Sequence, residues 1–165
     1  MRLPMKRSVV LVVLFAALAT IGCDRVTKHV AASALSGAPG RSLLGDTVRL
    51  QYAENTGGFL GLGAEWPRAA RTAFFTIGNG VLLLGLVLVA LRFRWRGAAL
   101  IGVTLFVAGG ASNLLDRIAY GRVIDFLNVG LGPLRTGIFN VADVAILLGA
   151  ILVALGEVRS QNQEP

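Results

Sequence analysis

Gly97-Ala-Ala-Leu-Ile-Gly-Val-Thr-Leu-Phe-Val-Ala-Gly-Gly-Ala-Ser-Asn-Leu-Leu-Asp-Arg117 is the stretch that decides the fold. It is apolar around most of its circumference up to Asn113, and then Asn113, Asp116 and Arg117 arrive together at one end. A helix at the surface of a soluble protein keeps a polar face, whereas a lipid-facing helix has none to keep. An apolar run of about 20 residues crosses a bilayer. Three further runs of this kind cover residues 8–23, 69–91 and 138–155. The first reaches spanning length only by taking Asp24 and Lys28 into its far end. Spanning helices are therefore predicted near residues 8–34, 69–91, 97–116 and 138–157 of one polytopic membrane domain covering 1–165.

Composition agrees. The chain has 165 residues, 55% hydrophobic and 15% charged, against about 25% charged in soluble domains. Its net charge of +7 comes mostly from arginines at the ends of the apolar runs, so topology and headgroup contact account for it and nucleic acid is not an expected partner. One cysteine and one histidine, Cys23 and His29, exclude an internal disulfide and any zinc site built from those residue types. Abundant glycine, 21 residues, suits closely packed spanning helices.

Two basic segments set the orientation. The N-terminus carries Arg2, Lys6 and Arg7, and residues 92–96 read Arg-Phe-Arg-Trp-Arg. Both are expected on the cytoplasmic side. The long segment 36–68 then lies outside, as does the second outer loop, 117–137. Residues 47–52 alternate polar and apolar and predict a short strand, with Gly57, Gly58, Gly61 and Gly63 as turns around it. A small sheet at the outer interface is expected, and a polar, frayed cytoplasmic tail at 157–165.

With this topology Asp24, Lys28, Asn113, Asp116, Arg117, Asp125, Asn140 and Asp143 all gather at one membrane face. Ionisable residues at that depth are costly, so each is a functional candidate. Asp24 and Lys28, at i and i+4, share a helix face and can pair. Gly109, Asn113 and Asp116 share another face, where glycine lets helices approach and Asn113 can bond across. Asp116 and Arg117 close that helix, and a salt bridge between them with Arg117 as headgroup anchor is the structural expectation. Asp125 sits between apolar neighbours. Asp143 lies in the first turns of the last helix, where a carboxylate alone would merely complement the macrodipole. Two aspartates entering one apolar pocket cannot both ionise cheaply, and sharing a proton is how such pairs activate water.

Five segments together resemble the ordered motifs of the bacterial lipoprotein signal peptidases, or signal peptidase II. They are Asp24-Arg-Val-Thr-Lys28, Glu54-Asn-Thr-Gly-Gly-Phe59, Gly109-Gly-Ala-Ser-Asn-Leu-Leu-Asp-Arg117, Val123-Ile-Asp-Phe126 and Phe139-Asn-Val-Ala-Asp143. The resemblance implies an all-α membrane protein of four transmembrane helices with a small extracytoplasmic β-cradle, the cradle and an interfacial helix mapping onto 36–68. It implies an aspartyl endopeptidase of the bacterial inner membrane, both termini cytoplasmic and the site at the outer face. Such an enzyme cuts prolipoproteins on the N-terminal side of a diacylglyceryl-cysteine. The catalytic dyad falls on Asp125 and Asp143. Asp24, Lys28, Asn55, Gly109, Asn113, Asp116, Arg117, Asn140 and Ala142 carry over as supporting residues. Substrate and membrane lipids are the implied partners, a monomer is expected, and no metal or cofactor is implied. One departure stands out: the family commonly has Ala-Ala where this chain has Gly58-Phe59, which predicts a looser loop.

Two other readings fit less. Leu18-Ala-Thr-Ile-Gly-Cys23 has the outline of a lipoprotein signal, but three more apolar spans follow it instead of a soluble chain. A small transporter or proton channel would place polar residues through the midplane or show inverted repeats, and the sequence has neither. The four-span reading predicts that topology reporters fused after Arg96 and after Arg122 give opposite orientations. Equal signals at both points would reject it.

Overall fold

The computed structural model describes residues 6–58 and 62–161, so Phe59 and Gly61 of the glycine-rich turn region, Arg2 of the basic N-terminus and tail residues 162–165 lie outside it. Helix α1 runs Arg7–Leu35. Strands β1 (Arg41–Leu43) and β2 (Val48–Asn55) follow. The second helical rod, Arg68–Phe93, is not uniform: α2 (Arg68–Arg71) leads into a π-helix (Thr72–Gly78) and then α3 (Asn79–Phe93). After α4 (Gly97–Tyr120) come β3 (Val123–Leu131), β4 (Leu134–Arg135) and α5 (Val141–Gln161). The rods beginning at Arg7, Arg68 and Gly97 are long and apolar enough to cross a membrane, and α5 contributes a shorter apolar stretch, Val141–Gly156. Their outward faces carry exposed apolar side chains such as Phe15, Leu18, Leu84 and Leu147, the inverse of a soluble protein's surface.

Glycines bring α4 and α5 together. A side-chain carbon on Gly102 would lie 2.7 Å from the Gly149 carbonyl oxygen, and one on Gly109 would lie 2.5 Å from that of Ala142. The backbones touch where each lacks a Cβ, and dispersion then replaces the hydrophobic drive that lipid does not supply. Gly121, at φ +69°, ends α4 and returns its N–H to the Arg117 carbonyl.

The sheet is antiparallel throughout, in the order β1-β2-β3-β4. The strand expected at 47–52 is β2, but the cradle is not confined to 36–68. Its other half comes from 123–135, a segment expected to be loop, and α4 extends past 116 to Tyr120. The reason is that β3 buries polar as well as apolar residues: Val123, Asp125, Phe126 and Asn128 are all inside. No helix lies between Ser36 and Pro67 among the described residues; residues 59–61 of the segment onto which the expected interfacial helix maps lie outside them. Residues 138–140 are extended rather than helical, because Phe139 bridges to Leu127 and joins the sheet. The tail expected to fray continues α5 as helix to Gln161.

A small apolar core locks the sheet to the bundle. Ala31 and Leu35 of α1 meet Phe126 of β3, with Leu50, Tyr52, Leu127 and Val141 packed around them. The close α4–α5 approach predicts that Gly109→Ala lowers thermal stability in detergent by about 1–3 kcal/mol, the range for overpacking. An unchanged melting curve would show that the two backbones can part at no cost.

Candidate active site

Asp24 and Lys28 form the expected pair, 2.7 Å apart and almost wholly buried. An isolated ammonium there would be prohibitively desolvated. Lys28 therefore has three partners: besides Asp24 it donates to Asp116 Oδ2 at 2.8 Å and to Asn113 Oδ1 at 2.7 Å. Asp116 does not pair with Arg117. Its second oxygen accepts from Arg25 of α1. Consecutive helical residues point roughly 100° apart, so when Asp116 faces α1, Arg117 must face elsewhere. The Arg117 guanidinium lies 5.6 Å from the ring of Phe75 and lines a cavity instead of anchoring to an ion partner on its own helix.

Asp24 reaches the start of α5. Its Oδ1 accepts the backbone N–H of Ala142 at 2.9 Å, and its Oδ2 accepts Ser112 Oγ at 2.7 Å. Ala142 is fully buried and its carbonyl faces Gly109, which explains why small residues are needed at both positions. Nothing local in the sequence marks Ser112 and Arg25. The approach of α4 to α1 gives both their partners, Asp116 for Arg25 and Asp24 for Ser112.

The N-terminus of α5 is a reciprocal cap. Asn140 Oδ1 accepts the N–H of Asp143 at 2.9 Å, and Asp143 Oδ2 accepts the N–H of Asn140 at 3.1 Å. This is the capping-box pattern with a shorter acid at the third position. Asp143 Oδ1 accepts from Asn113 Nδ2 at 2.9 Å. The same Asn113 oxygen that accepts from Lys28 Nζ also accepts from Asn140 Nδ2, at 3.3 Å.

Asp125 comes from the sheet. It sits on β3 opposite Ala53, just beyond a register shift in β2 between Leu50 and Ala53. Asn140 Nδ2 donates to its Oδ1 at 2.7 Å and Asn55 Nδ2 to its Oδ2 at 3.0 Å. Asn55 is itself held: it donates to the Gly58 carbonyl and accepts from the Gly57 N–H. The Gly58 N–H also donates to the Leu62 carbonyl at 2.7 Å; the looser loop expected at Gly58-Phe59 continues into residues outside the described ones. Burial, the largest influence, pushes the Asp125 carboxyl up to about 6; the Asn55 amide opposes the rise, and the nearby Asp143 carboxylate adds to it.

Thus all the sequence-predicted site residues converge on one end of the bundle. Asp125 and Asp143 line the same cavity of about 770 Å³, which continues between α3 and α5 past Leu82, Leu147 and Ala150. Its upper end is polar and its lower end apolar. Among the described residues no group of three or more His, Cys, Asp or Glu side chains is arranged to hold a metal ion. Cys23 is exposed and far from this chemistry in kind, being a lone thiol without a basic partner on its face.

Comparison with known proteins gives a consistent answer. The family model described as signal peptidase (SPase) II matches residues 16–159. The lipoprotein signal peptidase of Syntrophus aciditrophicus (strain SB) is 31% identical over 97% of this chain and 99% of its own. That of Cupriavidus taiwanensis is 39% identical over 61% of this chain and 55% of its own. A bacterial membrane enzyme solved by the in meso method at 2.3 Å resolution has the same fold, with a TM-score of 0.79 at 22% identity over 93% of this chain and 92% of the other.

The Asn55 contact predicts a titration shift. A donated amide favours the charged carboxylate, so its loss favours the proton. In Asn55→Ala the infrared band of the protonated Asp125 carboxyl, identified by subtraction of Asp125→Asn, should persist to higher pH than in the wild type. A shift to lower pH would contradict the hydrogen bond's assigned direction.

Proposed function

Because the chain belongs to the signal peptidase II family, a family of multi-pass membrane peptidases that remove signal peptides from prolipoproteins, we propose that it is an aspartic endopeptidase whose dyad is Asp125 and Asp143. The observation that carries this reading is the shared cavity: two carboxylates from different elements, β3 and α5, face one space, and Asn140 contacts both, the Asp125 carboxylate through its side-chain amide and the Asp143 carboxylate through its backbone N–H. The bond cut is the one on the N-terminal side of a diacylglyceryl-cysteine. The whole chain acts as one polytopic domain of the bacterial inner membrane, as a monomer, with its termini in the cytoplasm and the cradle outside.

The two aspartates divide the work by environment. Asp143, whose two oxygens are held by a backbone N–H at a helix start and by a side-chain amide, is assigned as the base. Asp125, whose carboxyl titrates at about 6, is the acid, and entry of an apolar substrate strips further water and moves it in the same direction. Asp143 takes a proton from water as the oxygen bonds to the scissile carbonyl carbon, while Asp125 donates a hydrogen bond to the carbonyl oxygen. The tetrahedral intermediate collapses as the C–N bond breaks. The departing nitrogen receives a proton from the dyad, leaving a carboxylate on the signal peptide and a free α-amine on the cysteine. The apolar lower cavity accommodates acyl chains at membrane depth. Lys28, Asp24, Asp116, Asn113 and Ala142 position the dyad, and Gly109 lets α5 approach; Asn55 and Asn140 aim the two carboxylates, and Arg117 borders the substrate.

Asparagine keeps the shape of aspartate and cannot exchange the proton. Asp125→Asn and Asp143→Asn should each insert and bind substrate yet lose cleavage of a diacylglyceryl prolipoprotein by at least about 10²-fold. A dispensable Asp125 beside an indispensable Asp116 would overturn the dyad.

A further inference from the structure

The ring of Phe75 sits in a slot made by two missing side chains. A Cβ on Gly58 would lie 2.6 Å from Phe75 Cε1, and one on Gly63 would lie 3.0 Å from Cε2 and Cζ of the same ring and 2.9 Å from Trp66 Cδ2. Trp66 stacks on the ring with centroids 5.7 Å apart and planes 23° from parallel, and Phe74 meets it edge-on at 5.2 Å. The Arg117 guanidinium closes a further side. The ring therefore has no room to retreat toward Gly58 or Gly63, and what it leaves uncovered lines the cavity together with Asn55 and Asp125.

The backbone delivers the ring there. Phe74 and Phe75 lie within the π-helical turns Thr72–Gly78, where the wider helix offsets the side chains from the positions that a regular α-helix would give them. Such turns recur at functional sites because they re-aim individual residues. The departure at Gly58 acquires a reason here. The space that an alanine methyl would fill is occupied by Phe75, reaching in from another element.

We propose that Phe75 is the specificity-determining wall of this cavity, fixing the size of the substrate side chain that fits immediately N-terminal to the scissile bond. The proposal rests on the peptidase reading above. Acyl chains on the cysteine side need the apolar slot at Leu82, Leu147 and Ala150. The peptide on the other side of the bond is left with the polar end, where Gly58, Asn55 and Phe75 form the boundary. Gly58 also ties the wall to the chemistry, because its carbonyl accepts the same Asn55 nitrogen that donates to Asp125.

The test uses the full-length protein in lipid vesicles and two diacylglyceryl prolipoproteins differing only in Ala or Leu before the scissile bond. The ratio of kcat/KM for Leu over Ala should rise by about tenfold or more in Phe75→Ala, the lower end of discrimination by apolar volume. Phe75→Leu, which keeps an apolar plug, should move the ratio in the same direction by less. Gly58→Ala should lower cleavage, and adding Phe75→Leu should restore part of it by removing the ring the methyl meets. An unmoved ratio in a Phe75→Leu variant with wild-type melting behaviour overturns the assignment while the peptidase stands. A wild-type chain that cleaves neither substrate removes the peptidase reading and this proposal with it.

Discussion

A buried ammonium must be answered, and the arrangement of this molecule follows from how Lys28 is answered. Two carboxylates and one amide oxygen surround it, from α1 and α4, and Arg25 balances the second carboxylate. Two positive and two negative charges thus close on themselves, and of these Lys28, Asp24 and Asp116 are buried where none could stand alone, while Arg25 reaches in from a part-exposed position. The closure fixes the rotation of α1 against α4. Asp24 extends it to α5 through the Ala142 N–H, one residue before Asp143. The Asp143 carboxylate is consequently placed by a network that begins on the first helix of the chain.

Asp143 has two tasks that draw on the same two oxygens. One closes the helix cap with the N–H of Asn140, and the other takes the Asn113 amide. The cap explains why a carboxylate stands at this position even in structural terms, and the same side chain also borders the cavity. Asn140 joins the two halves: its oxygen caps α5 while its nitrogen holds the carboxylate of the sheet. A side chain with a donor and an acceptor on one rigid plane suits this, and neither aspartate nor leucine could replace it.

The sequence displays the bundle plainly, because apolar runs of spanning length and an i, i+4 ion pair are local signals. It displays the gathering of polar residues at one face for the same reason. Its ordered motifs carry the family. What it hides is tertiary. Val123–Leu131 is a strand that buries Asp125 and Asn128, so it does not alternate apolar and polar in the manner that betrays a sheet. Asp116 has a cationic neighbour in sequence, yet its partners stand on α1 and could be found only once that helix is in place. The π-helical turns have no hydrophobic period of their own, and the role of Gly58 is invisible until Phe75 arrives beside it.

The register shift in β2 between Leu50 and Ala53 lies next to the pairing of Ala53 with Asp125. Side chains alternate along a strand, so a slip of one residue there would turn Asp125 from the cavity to the opposite face. The hairpin tips, around Gly45 and Gly132, lie at the far end of the same strands and face no such constraint. Tolerance to changes in chain length is therefore polarised along the sheet. Over descent, residues can be gained or lost at the tips without cost to the chemistry, whereas the few positions between the bulge and Asn55 can change in kind but not in number.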